Sequence, residues 1–189
     1  MKEKIIAVMG ILCFFSPSVF AADGYFSVGG GTGGSAGSYN LTIQGGAKDV
    51  EIGYLKFLMG GGIPLIPHGY DNVPSDTYDY PCRHSNYNII GNEYDGTELG
   101  LFAKVGVETI YPGIYLSGLF GFTRVTEIEV SESLTTGQHY EQSSEKKVNW
   151  LFGVGAVYFK EMFDDDWRLC FQLDLDNRRG MTGSLGFYW

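Results

Sequence analysis

The final nine residues, Met181 to Trp189, alternate strictly and end on an aromatic. Met181, Leu185, Phe187 and Trp189 share one face, while Thr182, Ser184 and Tyr188 share the other. An apolar-faced strand with an open ladder invites edge-to-edge pairing. Closing the sheet on itself removes the edge, so the segment points to a sealed ring whose outer face meets lipid. Trp167 to Asp176 carries the same signature. Trp167, Leu169, Phe171, Leu173 and Leu175 oppose Arg168, Cys170, Gln172, Asp174 and Asp176. Membrane-spanning strands read this way, as segments of roughly 10 residues with apolar positions outward and polar or small ones inward.

The start of the chain has the shape of a secretory leader. Lys2 and Lys4 precede the apolar run Ile5 to Phe15, Ser16-Pro17-Ser18 breaks it, and Val19-Phe20-Ala21 suits cleavage before Ala22. The run is shorter than the ~20 residues of a spanning helix. Cys13 lacks the small residue that lipoprotein processing wants before it. The expected organisation is a signal peptide over residues 1–21 and one domain over 22–189. A net charge of −9 provides no footprint for nucleic acid. Cys82 and Cys170 share no metal spacing with His68, His84 or His139, so neither a metal site nor a cofactor is expected. A bridge between the two cysteines would need a loop that dips deep into the domain.

Further alternating segments are Tyr25 to Gly30, Ser38 to Gln44, Asp49 to Met59, Thr97 to Thr109, Ile114 to Phe122 and Val148 to Tyr158. In Asp49 to Met59, Lys56 falls on the apolar face, so a register change near Tyr54 is expected, turning Leu55, Phe57 and Met59 outward. Eight strands result, or ten if Gly61 to Ile66 is one. Gly45 to Lys48, Tyr111 to Gly113 and Glu161 to Asp166 read as short turns. Gly31 to Gly37, Gly60 to Gly96 and Glu129 to Lys147 read as long loops, with Asn177 to Gly180 a short last one. The expected fold is all-β: a closed antiparallel up-and-down transmembrane β-barrel, with both chain ends on the short-turn side.

With its leader, its alternating segments and the terminal Gly186-Phe187-Tyr188-Trp189, the mature chain resembles small outer-membrane β-barrel proteins of Gram-negative bacteria, the outer-membrane protein X and outer-membrane protein A barrel group. The resemblance implies an integral outer-membrane location, contact with lipid and lipopolysaccharide, and Phe187 and Trp189 as the signal read by the barrel assembly machinery. The family commonly ends on Phe where this chain has Trp189.

Candidate functional residues fall into three groups. Glu98, Lys104 and Glu108 on one strand, with Arg168, Asp174 and Asp176 on another, face inward, as a pore lining or a packed polar core. An eight-stranded barrel is only just wide enough for its own side chains, which favours the core. Arg178 and Arg179 lie at the last hairpin, where guanidinium groups suit a lipopolysaccharide phosphate, or where Asp176 pairs with them locally. The third group is the loop 60–96, rich in Pro, Tyr and Asp, which reads as a contact surface for a partner or a cover over the mouth. His84-Ser85-Asn86 approaches the His-x-Ser-Asn pattern of lipid A deacylases. Adjacent strand residues point oppositely, however, so the tripeptide reads as polar loop and no catalytic residue is assigned. Gly29 to Gly34 contains a formal G-x-G-x-x-G without a following helix, and so reads as loop. The expected role is non-enzymatic, in envelope integrity or surface interaction. A lipid A-modifying hydrolase and a narrow, porin-like channel are the alternatives.

Overall fold

A computed structural model describes residues 23–35, 39–68, 74, 76–83, 86–162 and 167–189. The expected leader, His84 and Ser85 lie outside them. Eight strands run in sequence: β1 (Asp23–Thr32), β2 (Tyr39–Ile52), β3 (Leu55–His68), β4 (Tyr87–Glu108), β5 (Ile114–Ser133), β6 (His139–Met162), β7 (Trp167–Asp176) and β8 (Gly180–Tyr188). Each pairs antiparallel with the next, and β8 pairs with β1, closing the barrel. Trp189 completes the seam, since its N–H donates to Gly24 O at 3.0 Å and Gly24 N–H donates to Trp189 O at 3.1 Å.

The register fixes the width of the ring. From Gly24 it passes to Ala47, Met59, Val105, Gly118, Val154, Leu175 and Met181, and returns to β1 at Thr32, eight residues beyond its start. Eight strands with that stagger leave an interior filled by side chains. Polarity is inverted relative to a protein with an apolar core. Asn40, Thr42, Gln44, Glu98, Lys104, Gln172, Asp174 and Thr182 are buried, while Phe120, Trp150 and Val154 on the outside are 62%, 61% and 62% exposed.

Two expectations for the first strands are corrected here. Gly45 to Lys48 is not a turn but part of β2, and the expected strand Asp49 to Met59 is split by a hairpin at Gly53-Tyr54. Ile52 pairs with Leu55 across this two-residue turn, and Gly53 has φ 66°, a conformation glycine adopts without strain. The register does shift nearby, between Ala47 and Val50, and Leu55, Phe57 and Met59 do turn outward. At the bulge Asp49 has φ 56°, held by Lys48 Nζ at 2.6 Å and Tyr115 Oη at 2.6 Å. The glycines misled because their job is space. A Cβ on Gly60 would strike Tyr25 Oη and lie 2.6 Å from Gly45 O, so the bare backbone there admits the Tyr25 ring.

The loop expected over Gly60 to Gly96 shrinks to residues 69–86, because β3 continues to His68 and β4 begins at Tyr87. Gly61 to Ile66 is thus part of β3, and the count stays at eight. Pro64 lacks an N–H, and the β3–β4 pairing skips from Gly62 to Leu65 around it. Likewise Glu129 to Lys147 is mostly the hairpin of β5 and β6, turning at 134–138. It was read as a loop because, beyond the apolar band, its outward positions are polar. Strands β4, β5 and β6 therefore overshoot the short β7, β8 and β1 as a projecting three-stranded sheet.

One comparison tests the packed interior. Gly60→Val should lower stability by about 1–3 kcal/mol through overpacking. Gly118→Ala, whose Cβ meets nothing within 4 Å, should change it by less than ~0.5 kcal/mol. Urea unfolding of the detergent-solubilised protein measures both.

Candidate functional site

The inward residues of β2, β4, β7 and β8 converge on Lys104. Its Nζ donates to Gln44 Oε1, Gln172 Oε1 and Asp174 Oδ1, each at 2.8 Å, and reaches Asp174 Oδ2 at 3.0 Å. An ammonium has three protons to give, so this one is saturated. The amides are held in turn: Gln172 Nε2 donates to Ser27 Oγ at 2.5 Å and Gln44 Nε2 to Ser184 Oγ at 3.0 Å. Period-two alternation put these groups on one face, and closure brought five strands' faces together.

The last hairpin folds its arginines inward above this layer. Arg179 Nε donates to Asp176 Oδ2 at 2.5 Å and Nη1 to Thr42 Oγ1 at 3.0 Å, and its guanidinium lies 4.5 Å from the Phe102 ring centroid. Its Nη2 is 3.6 Å from Asp174 Oδ2. Asn40 Nδ2 caps the Arg179 carbonyl at 3.0 Å. Arg178 grips Glu98 with both ends of its fork, Nε to Oε1 at 2.8 Å and Nη2 to Oε2 at 2.5 Å, while Nη1 reaches Ser35 Oγ at 2.7 Å. Glu98 also meets His68 Nε2 at 2.8 Å and Thr123 Oγ1. Arg178, Arg179 and Lys104 thus face Glu98, Asp174 and Asp176, three cations against three carboxylates in one buried network.

Of the six residues expected inside, Glu98, Lys104, Asp174 and Asp176 belong to this network. Glu108 and Arg168 sit at the rim by the chain ends instead. Glu108 Oε1 accepts from Gly113 N at 2.7 Å, and the exposed Arg168 places its guanidinium 5.9 Å from the Tyr188 ring centroid. The terminal position lets an inward-directed chain reach the mouth. Arg178 and Arg179 are buried and held by carboxylates, Arg179 by its neighbour Asp176 as the hairpin reading expects and Arg178 by Glu98 across the interior. Phe187 is exposed on the outer face, tilted against Phe26 and Trp189.

The interior toward the chain ends is aromatic: Tyr25, Leu58, Tyr115, Val157, Phe159 and Tyr188 pack together with Cys170. Lys48 Nζ lies 4.6 Å from the Tyr188 ring centroid and pairs with Asp23 at 3.0 Å. The opposite end carries residues 76–83 as a strap joined to the far end of β6 by a parallel bridge between Tyr78 and Tyr140. Tyr78 N–H donates to His139 O at 3.0 Å, Glu141 N–H to Tyr78 O at 2.8 Å and Cys82 N–H to Gln142 Oε1 at 3.0 Å. Cys82 and Cys170 are both free thiols, one in the strap and one among the aromatics at the other end. Burial raises the Glu141 carboxyl above its ordinary range, and the charges of Asp95 and Asp79 push it the same way.

His139 Nδ1 lies 3.2 Å from Asp76 Oδ1. Among the described residues neither His68 nor His139 hydrogen-bonds a serine, and no group of three or more His, Cys, Asp or Glu is placed to hold a metal. His68, Thr123, Gln44, Ser27 and Asn40 are network members that were not singled out from the sequence. The β2 polar stripe was the signal for Asn40 and Gln44; His68 lay hidden in the presumed loop. Compared with known proteins, the chain matches no family model, no curated protein and no solved structure.

Removing one partner of a buried pair strands the other charge. Glu98→Gln should therefore cost about 3–5 kcal/mol in urea unfolding. Adding Arg178→Gln should recover part of that loss, and a double mutant no more stable than the single would contradict the pairing.

Proposed function

We propose that this chain is an integral outer-membrane β-barrel protein, exported through a leader at residues 1–21. In this reading its interior is sealed by the charge-neutral network, and its projecting sheet makes the surface contacts. The inverted polarity carries the reading. Outward positions from Val148 to Tyr158 on β6 are Val, Trp, Phe, Val, Ala and Tyr, closed by Lys146 and Lys160. At ~3.3 Å per residue and a tilt of ~40°, that stretch is about 25 Å tall, the height of the apolar band of such barrels. Trp150, Tyr158, Phe171, Phe187 and Trp189 bring aromatics to its edges. Closure pairs the two edges of the sheet, β1 with β8, which in lipid would otherwise expose ladder groups at several kcal/mol each.

Phe187 and Trp189 at the β1–β8 seam are assigned to recognition by the assembly machinery, and the outer belt to lipid and lipopolysaccharide acyl chains. The network favours a structural and contact role over conduction, because Lys104, Arg178 and Arg179 fill the interior and reach Gln44, Asp174, Glu98 and Thr42 on other strands. Membrane fractionation tests the location: the mature protein should enter the outer-membrane fraction and resist carbonate extraction. Planar-bilayer recording tests the sealed interior: the reading expects no large, steady conductance, and finding one would move the function to a narrow channel. At the middle of the band Val154→Arg should cost about 2–4 kcal/mol, against ~0–1 kcal/mol for Val148→Arg near its edge, measured by unfolding in lipid vesicles.

A further inference from the structure

The projecting sheet and its strap have a chemistry of their own. Over residues 76–83, 87–95 and 125–147 the sequence holds nine carboxylates against three lysines and arginines. Tyr78, Tyr80 and Tyr140 contact one another, with ring centroids 5.3, 5.4 and 5.8 Å apart. Tyr140 is the anchor, only 7% exposed, whereas Tyr78 and Tyr80 leave 39% and 45% of their surface to solvent. Packing the strap against β6 requires a buried Tyr140. It does not require two neighbouring tyrosines to stay open. Asp79 lies between them in sequence, and Glu141 N–H bonds to the Tyr78 carbonyl. Asp79, Asp95 and Glu141 form no ion pair among the described residues, and burial with mutual repulsion already raises the Glu141 carboxyl. Uncompensated carboxylates beside open aromatic faces suit one kind of visitor. A lysine or arginine is attracted to the ring face by its quadrupole and to the carboxylates by charge.

We propose that the exposed rings of Tyr78 and Tyr80, with the carboxylates of Asp79 and Glu141, form a docking surface for a lysine- and arginine-rich segment of polypeptide. The site deepens the reading of the projecting sheet as a contact surface and rests on that reading, but not on the membrane location. Its failure would show in binding, whereas failure of the membrane reading would show in fractionation. An anionic partner is disfavoured by the excess of carboxylates.

The test uses the full mature chain in uncharged detergent micelles and a fluorescein-labelled peptide of alternating lysine and glycine, followed by anisotropy. Binding should weaken about tenfold between 50 and 200 mM salt, because screening acts on exposed charges. The pair Asp79→Asn with Glu141→Gln should raise Kd at least ~5-fold and Tyr80→Ala about 3-fold, with Tyr80→Phe retaining wild-type affinity. Glu145→Gln, on the exposed part of β6, should stay within ~2-fold. The proposal is overturned if Asp79→Asn/Glu141→Gln and Tyr80→Ala bind as the wild type does. Loss of affinity in Glu145→Gln equal to that of the pair would equally overturn it, by showing diffuse charge. So would equal binding of a glutamate–glycine peptide or a neutral oligosaccharide.

Discussion

The narrowness of the closed ring governs everything inside it. A shift of eight residues over eight strands leaves room for one layer of side chains at a time. Each inward position must therefore fit what faces it from across the interior, not only its neighbours along the strand. Gly60 yields to Tyr25, and the bare Gly155 lies against the Asp174 carboxylate. Large and absent side chains alternate around the circumference, which lets Lys104, Arg178 and Arg179 cross the interior and end on partners from other strands.

In a space that small a charge has no water to fall back on. Desolvating an ion costs several kcal/mol, offset only by a close counter-charge and further hydrogen bonds. The interior meets most of this condition by setting three carboxylates against three cations and by recruiting Gln44, Gln172, Asn40, Thr42 and Thr123 as further partners, with Arg179 Nη2 left at ion-pair distance from Asp174. An acidic chain has thereby assembled a neutral centre. Its excess negative charge is left to the ends, most of all to the projecting sheet.

How much of this was legible in the residues depends on which side of the wall they face. Where outward positions were apolar, as in Trp167 to Asp176 or Ile114 to Phe122, strands and inward faces could be read directly. Where the outward side turned polar, in Glu129 to Lys147, alternation lost its contrast and a hairpin passed for a loop. Glycines at 45 and 46 read as a turn and those at 60 to 62 as the start of a long loop, because sequence does not say that a tyrosine lies opposite. Glu98, Lys104, Asp174 and Asp176 were found by parity alone. The local pairing of Asp176 with an arginine was legible too, but the reach of Arg178 to Glu98 and of Arg179 to Thr42 was not, since a hairpin folding back into the ring is a tertiary event that no local pattern records.

Strands β4, β5 and β6 run without a break from the rim near the chain ends to the tip beneath the strap. The tip is thus no tethered appendage but the upper half of the same three ribbons that carry Lys104, Thr123 and Leu151 within the ring. Traction applied there passes along covalent backbone and ladder hydrogen bonds straight into the wall. Whatever grasps this tip pulls on a mast stepped into the hull, its seat marked by the shift of the β4–β5 register between Asp95 and Leu99.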